Sequence, residues 1–179
     1  SSAASLADFA PNAFVRIAPD GRVTVIVNKA EMGQGPTTSL CMLLADELDA
    51  DWSKVGFEFA PVDPVYAHPG FGIQMTGGST STFGMSEPMR KAGATARALL
   101  AQAAANEWGV PVSECRTEKS FVIHDASQRR SAYGELADAA AKLPALADVA
   151  LKNPKDFQLI GKPLKRLDTP AKVNGSAVF

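Results

Sequence analysis

Cysteine, histidine and net charge are all in short supply. Cys41 and Cys115 are the two cysteines of a 179-residue chain, and they lack the Cys-x-x-Cys spacing of a redox or metal motif. Cys41 falls inside an apolar helical pattern and is expected to be a small buried hydrophobe. The two histidines, His68 and His124, have no companion at metal-ligand spacing, so loop and surface roles are expected for them. Basic residues number 18 against 19 acidic ones, a net charge of −1 with the signs interspersed, which removes any electrostatic argument for a nucleic-acid partner. No apolar run approaches the roughly 20 residues of a membrane-spanning helix. Neither Gly-x-x-x-x-Gly-Lys-Ser/Thr nor a Gly-x-Gly-x-x-Gly after a strand is present, which sets aside P-loop and Rossmann nucleotide binders. An initiator methionine is missing too. The start, Ser1 to Ala7, is a small-residue stretch of the kind left by removal of an export signal or by the choice of expressed segment. The other end, Lys172 to Phe179, reads as the opening of a strand, so a fragment of a longer protein is expected.

What remains is the composition of one globular domain, 46% hydrophobic and 21% charged. Its sharpest feature is Met75-Thr76-Gly77-Gly78-Ser79-Thr80-Ser81-Thr82-Phe83-Gly84-Met85-Ser86, glycines and hydroxyls opening into an alanine-rich helical stretch. Glycines let a backbone approach a ligand, while free N–H groups at a helix start and nearby hydroxyls aim donors at phosphate oxygens. A second glycine element, Glu31-Met32-Gly33-Gln34-Gly35-Pro36, also lies between a strand-like and a helix-like run. Two such loops point to one elongated, phosphate-bearing ligand.

Periodicity places both loops. Phe14 to Ile17 and Arg22 to Val27 are β-branched runs joined by Ala18-Pro19-Asp20-Gly21, a hairpin signal. Leu40, Leu43, Leu44 and Leu48 recur at helical spacing, so Thr37 to Leu48 reads as an amphipathic helix with Pro36 in its first turn. Lys54 to Phe59 alternates as a half-buried strand does. The proline- and glycine-rich loop from Pro61 to Gly78 is long for a compact domain, a length that marks functional or disordered segments. A helix between Ser81 and Trp108 presents Met89, Ala92, Ala96, Leu99, Leu100 and Ala103 on one face, and short strands are expected from Arg116 to His124. A last amphipathic helix is expected from Ala132 to Leu143. Trp52 and Trp108 read as packing anchors, and Arg90, Lys91 and Arg97 as the solvated face of the long helix.

Lys29-Ala30-Glu31-Met32-Gly33-Gln34-Gly35, followed by helix, strand and Thr76-Gly77-Gly78-Ser79-Thr80-Ser81, resembles the molybdenum-cofactor-binding domain of the xanthine oxidase family of molybdenum hydroxylases. The likeness is strongest to the large (beta) subunits of the isoquinoline 1-oxidoreductase and aldehyde dehydrogenase type, and it covers nearly the whole chain. It implies an α+β fold, a small mixed sheet with packed helices, for the amino-terminal part of that domain over residues 1–160. Residues 161–179 then resemble a linker into a following α/β hammerhead domain. The implied ligand is molybdopterin cytosine dinucleotide. Gly33, Gln34 and Gly35 would form one clamp and Thr76, Gly77, Gly78, Ser79, Thr80 and Ser81 the other, Gln34 offering an amide that both donates and accepts.

The resemblance also implies an enzyme that places water-derived oxygen on an N-heterocycle or aldehyde carbon, with a glutamate base in a carboxyl-terminal region outside these residues. Glu31 is therefore expected to partner nearby backbone N–H groups, not to transfer protons. Implied partners are the remainder of the large subunit, a small subunit with [2Fe–2S] clusters and, in some relatives, a cytochrome c; the implied location is the periplasm, otherwise the cytoplasm. Against this stands a non-catalytic structural or nucleotide-binding module without molybdenum, since a glycine–serine–threonine loop in an arbitrary protein is commonly a solvated turn.

Overall fold

The computed structural model describes residues 8–177. Four strands, β1 (Phe9–Asn12), β2 (Val15–Ile17), β3 (Val23–Val27) and β4 (Val55–Phe59), form a sheet in the order β1-β2-β3-β4. The β2–β3 hairpin follows the Pro-Asp-Gly signal. Gly21 takes a φ of 86° and its N–H donates to the Ala18 carbonyl at 2.8 Å, while the Asp20 carboxylate accepts the Arg22 N–H at 3.0 Å. Strand β1, which the sequence pattern did not reveal, adds antiparallel to β2, and β4 pairs parallel to β3, with Val23 opposite Val55 and Val27 opposite Phe59. A parallel neighbour requires a crossover. Helix α1 (Pro36–Leu48) makes it.

Helix α2 (Ser81–Trp108) lies against α1, and the two share the core with Val23, Val25 and Val27 of the sheet. Leu40, Leu44 and Leu48 of α1 and Met89, Ala96 and Leu100 of α2 are buried, as their spacing predicts. Cys41 is buried among them, and burial pushes its thiol up to about 12. Close approach depends on Gly93: a Cβ there would stand 2.3 Å from the Leu44 carbonyl oxygen.

A second sheet extends the expected architecture. Strands β5 (Cys115–Glu118), β6 (Phe121–His124) and β7 (Arg129–Ala132) form an antiparallel meander ahead of α3 (Tyr133–Ala141), whose Tyr133 hydroxyl donates to the Leu48 carbonyl at 2.6 Å. The tail then folds back along α1. The Asp46 carboxylate accepts the N–H groups of Gln158, Leu159 and Ile160 at 3.0, 3.0 and 2.8 Å. Helix α4 (Thr169–Asn174) takes in Lys172, Val173 and Asn174, the first residues of the expected strand opening; Val178 and Phe179 lie outside the described residues.

Two expectations are corrected. His68 and His124 are buried, at 7% and 4% exposure, not on the surface. His68 orders the proline- and glycine-rich loop: its N–H donates to Ile73, its carbonyl accepts from Phe71 and Gly72, its Nδ1 accepts from Gly70, and its ring packs against Gly84. His124 accepts from Ser127 and reaches Glu114 at 2.9 Å. Arg90 and Arg97 are not on a solvated face, because both turn toward the buried Glu47 of α1; Lys91 is exposed as expected. Trp52 and Trp108 pack against the core.

Candidate functional site

The two glycine loops lie side by side at the starts of α1 and α2. Three bonds join them: the Lys29 ammonium donates to the Met75 carbonyl at 2.7 Å, the Ala30 N–H donates to Thr76 Oγ1 at 2.8 Å, and the Ser39 and Thr82 hydroxyls meet at 3.2 Å. Lys29 is 2% exposed, and burial lowers its pKa.

Glu31 organises the first loop. Its carboxylate accepts the N–H groups of Gly33 at 2.8 Å, Gly35 at 3.1 Å and Thr37 at 3.3 Å, which is the partner role its sequence position suggested. Burial alone would raise its pKa, yet the Gly35, Gly33 and Thr37 donors together hold it below the usual carboxylate range. The Gly33 and Gly35 backbones sit at φ 101° and 86°, conformations that a side chain would strain. Gln34 is exposed and folds back on its own loop, its amide donating to the Ala30 carbonyl at 3.1 Å and accepting from the Met32 N–H at 2.6 Å. One amide N–H and one oxygen lone pair stay available.

The start of α1 is thus already served by an internal carboxylate. The start of α2 is not. Among the described residues, the backbone N–H groups of Gly78, Ser79, Ser81 and Thr82 have no hydrogen-bond acceptor, and Thr80 makes no side-chain cap. The Thr80 hydroxyl turns back to the Gly77 carbonyl at 2.8 Å, and Gly78 and Ser79 both have positive φ, 62° and 56°. The helix dipole adds positive potential at this end of α2. The four free donors, on Gly78, Ser79, Ser81 and Thr82, lie within one short stretch at the start of α2 and include no lysine.

A cavity of about 1210 Å³ adjoins the first loop. Its walls include the apolar Val27 of β3, Phe57 and Phe59 of β4 and Val62 just after it, Thr76 from the second loop, and Leu167, Asp168 and Ala171 from the tail. Of the nine residues proposed from the sequence, Gly33 and Thr76 line it, while Gln34, Gly35 and Gly77 to Ser81 do not. Sequence reasoning missed the tail's part. Arg166 donates to the Gly33 carbonyl at 3.0 Å and to Glu31 at 2.8 Å, and the Leu167 N–H donates to Thr38 Oγ1 at 3.1 Å. The available signal was the alternation Arg166-x-Asp168-x-x-x-Lys172, with an acid four residues before a base at a helix start. Among the described residues no group of three or more His, Cys, Asp or Glu is placed to hold a metal ion, and no helix is long and apolar enough to cross a membrane.

The chain is similar to known proteins. The chain is 37% identical over 99% of its length to isoquinoline 1-oxidoreductase subunit beta of Brevundimonas diminuta, covering 27% of that protein. It is 35% identical over 96% of its length to the membrane-bound aldehyde dehydrogenase [pyrroloquinoline-quinone] of Gluconacetobacter polyoxogenes, covering 22% of it. It therefore spans about a quarter of the length of these relatives. In fold it is similar to quinoline 2-oxidoreductase of Pseudomonas putida 86, with a TM-score of 0.54 and 22% identity across 73% of this chain and 16% of that one. The mixed helix-and-sheet fold agrees with this. Residues 1–173 match the molybdopterin cofactor-binding domain, and the chain belongs to that family.

Proposed function

We propose that the paired glycine loops hold a molybdopterin in its cytosine dinucleotide form, as part of the large subunit of an oxidoreductase acting on an N-heterocycle or an aldehyde. The observation that carries this reading is the set of unengaged N–H groups on Gly78, Ser79, Ser81 and Thr82, beside a Gly33–Gly35 loop whose own helix start Glu31 has filled. One loop has donors to spare for a pyrophosphate. The other, shaped in advance, offers glycine backbone and the remaining Gln34 N–H to a heterocycle edge. When bound, the cofactor supplies a molybdenum centre able to accept two electrons from the substrate. This chain's residues bind and orient it.

The printed names of the relatives support the substrate classes, and "subunit beta" supports assembly with a further subunit, for which an iron–sulfur protein is the electron acceptor we propose. A single name introduces a competing cofactor, pyrroloquinoline-quinone. The experiment is metal, nucleotide and quinone analysis of the full-length parent protein purified with its partners. Molybdenum and CMP in equal amounts, both lost in the Gly78→Val variant, are the expected result. A folded, mature complex holding neither, or holding quinone alone, would overturn the proposal and leave a structural or nucleotide-binding module.

A further inference from the structure

Arg166 is gripped on both sides of its guanidinium. Nε and Nη2 donate to the two oxygens of Asp168 at 3.0 and 2.9 Å, and Asp168, 9% exposed, is held in turn by the Lys172 ammonium at 2.6 Å. Toward the loop, Nη1 donates to the Gly33 carbonyl at 3.0 Å and Nη2 to Glu31 Oε1 at 2.8 Å. The arginine thus holds both an outer carbonyl of the glycine loop and the carboxylate that gathers the loop's inner N–H groups. A planar fork with five donors can do this, whereas a lysine ammonium cannot span the same acceptors in fixed directions.

The loop has little else to fix it. Gly33 is exposed, and the space where a Cβ of Gly33 or Gly35 would stand has no neighbour within 4 Å. Packing therefore does not set the loop's shape. Hydrogen bonds to Glu31, Gln34 and Arg166 do, and Arg166 comes from a segment 133 positions downstream of Gly33. The same segment closes one side of the cavity through Leu167, Asp168 and Ala171.

Resting on the reading of this loop as a pterin seat, we propose that Arg166 is a positioning residue for cofactor retention: its hold on Gly33 and Glu31 keeps Gly33–Gly35 in the binding shape. Coupling is reciprocal, so bound cofactor also keeps the 161–177 segment closed on the loop. Replacing a group that orients a metal's ligands changes metal affinity by about 10- to 100-fold, and an effect at the lower end of that range is expected here.

The test uses the full-length parent protein with its partner subunits as wild type, Arg166→Gln and Arg166→Lys. Arg116→Gln, at an exposed ion pair with Asp125 and Glu118, is the control. Hydrogen exchange at the Gly33, Gly35 and Thr37 amides and the rate of cofactor release are read beside the Tm. Arg166→Gln is expected to exchange faster at these amides and to release cofactor about tenfold faster. Arg166→Lys should fall between it and wild type, and the control should match wild type. A folded Arg166→Gln protein with wild-type exchange or wild-type release overturns the proposal, and Arg166→Lys is judged by the same criteria where the glutamine variant does not fold. A wild-type parent without cofactor overturns both retention and the pterin reading, and the amide exchange alone then decides whether Arg166 positions the loop.

Discussion

The Lys29 ammonium and the Met75 carbonyl oxygen meet at 2.7 Å behind the two glycine loops, with Lys29 2% exposed and no carboxylate at ion-pair distance among the described residues. A cation removed from water without a counter-charge destabilises the fold, and burial lowers its pKa from 10.5. In the window between that lowered value and 10.5 the unfolded chain binds more protons than the folded one, so stability rises with pH there. Urea melts across this alkaline range should show a gain in wild type that is missing from Lys29→Met. The variant should also exchange faster at the amides of residues 75–78, having lost the tie between the loops. A wild type that loses stability relative to Lys29→Met across the window would refute the assignment.

Gly93 and Gly56 give a contrasting pair. A Cβ at Gly93 would stand 2.3 Å from the Leu44 backbone oxygen, whereas at Gly56 it would meet nothing within 4 Å. Gly93→Ala must push α2 away from α1 and is expected to cost about 3 kcal/mol. Gly56→Ala should change stability by less than about 0.5 kcal/mol. Denaturant titration of both variants checks the difference.

Asp46 fastens the tail to α1. Its side chain is fully buried and takes three backbone N–H groups, those of Gln158, Leu159 and Ile160. Asp46→Ala leaves these donors without an acceptor, a penalty of about 1–3 kcal/mol for each that stays buried. The chain's remedy is to let the segment go. Trypsin should therefore cut at Lys152 and Lys155 much faster in the variant than in wild type, and equal rates would show that other contacts hold the segment.

The segment around Arg166 should open in acid. Hydrogen bonds from Arg166, and then from Lys172, outweigh burial and hold the Asp168 carboxyl at about 2, below its ordinary 3.8. Such a carboxylate adds stability that is complete above the ordinary value and is lost as pH falls toward the folded one. Protection from hydrogen exchange over residues 166–174, corrected for the intrinsic rate at each pH, should fall between about pH 4 and pH 2 and stay flat from about pH 5 to pH 8. In Asp168→Asn the protection should be low throughout.

The sequence made local features plain and long-range ones obscure. The β2–β3 hairpin, both main helices and the glycine loops follow from turn chemistry and apolar spacing, which act within a few residues. The turn between β5 and β6 carries no such mark: Lys119 and Ser120 take positive φ without glycine, at 45° and 64°. Tertiary bonds hold it, with the Ser120 N–H on the Asp49 carbonyl, its carbonyl on the Tyr133 N–H and its hydroxyl on the Asp51 N–H. Arg90, Arg97 and His68 were misplaced for the same reason, since their partners Glu47 and Gly84 lie on elements that only the folded chain brings near. At the site, Glu31 was legible because its partners are two to six residues away. Arg166, 135 residues from Glu31, was not.

That separation has a bearing on how the molecule is made. Chains emerge amino end first at about 5–20 residues per second, so on the order of ten seconds pass between the appearance of Gly33 and that of Arg166. During this interval β2, β3 and α1 can pair and pack, yet the first glycine loop lacks its clasp, and α1 lacks the tail that Asp46 and Glu47 bind. The loop that is synthesised early is finished late. A ligand held by that loop would accordingly meet its finished shape only once residues 161–177 have been made, and not during synthesis of the loop itself.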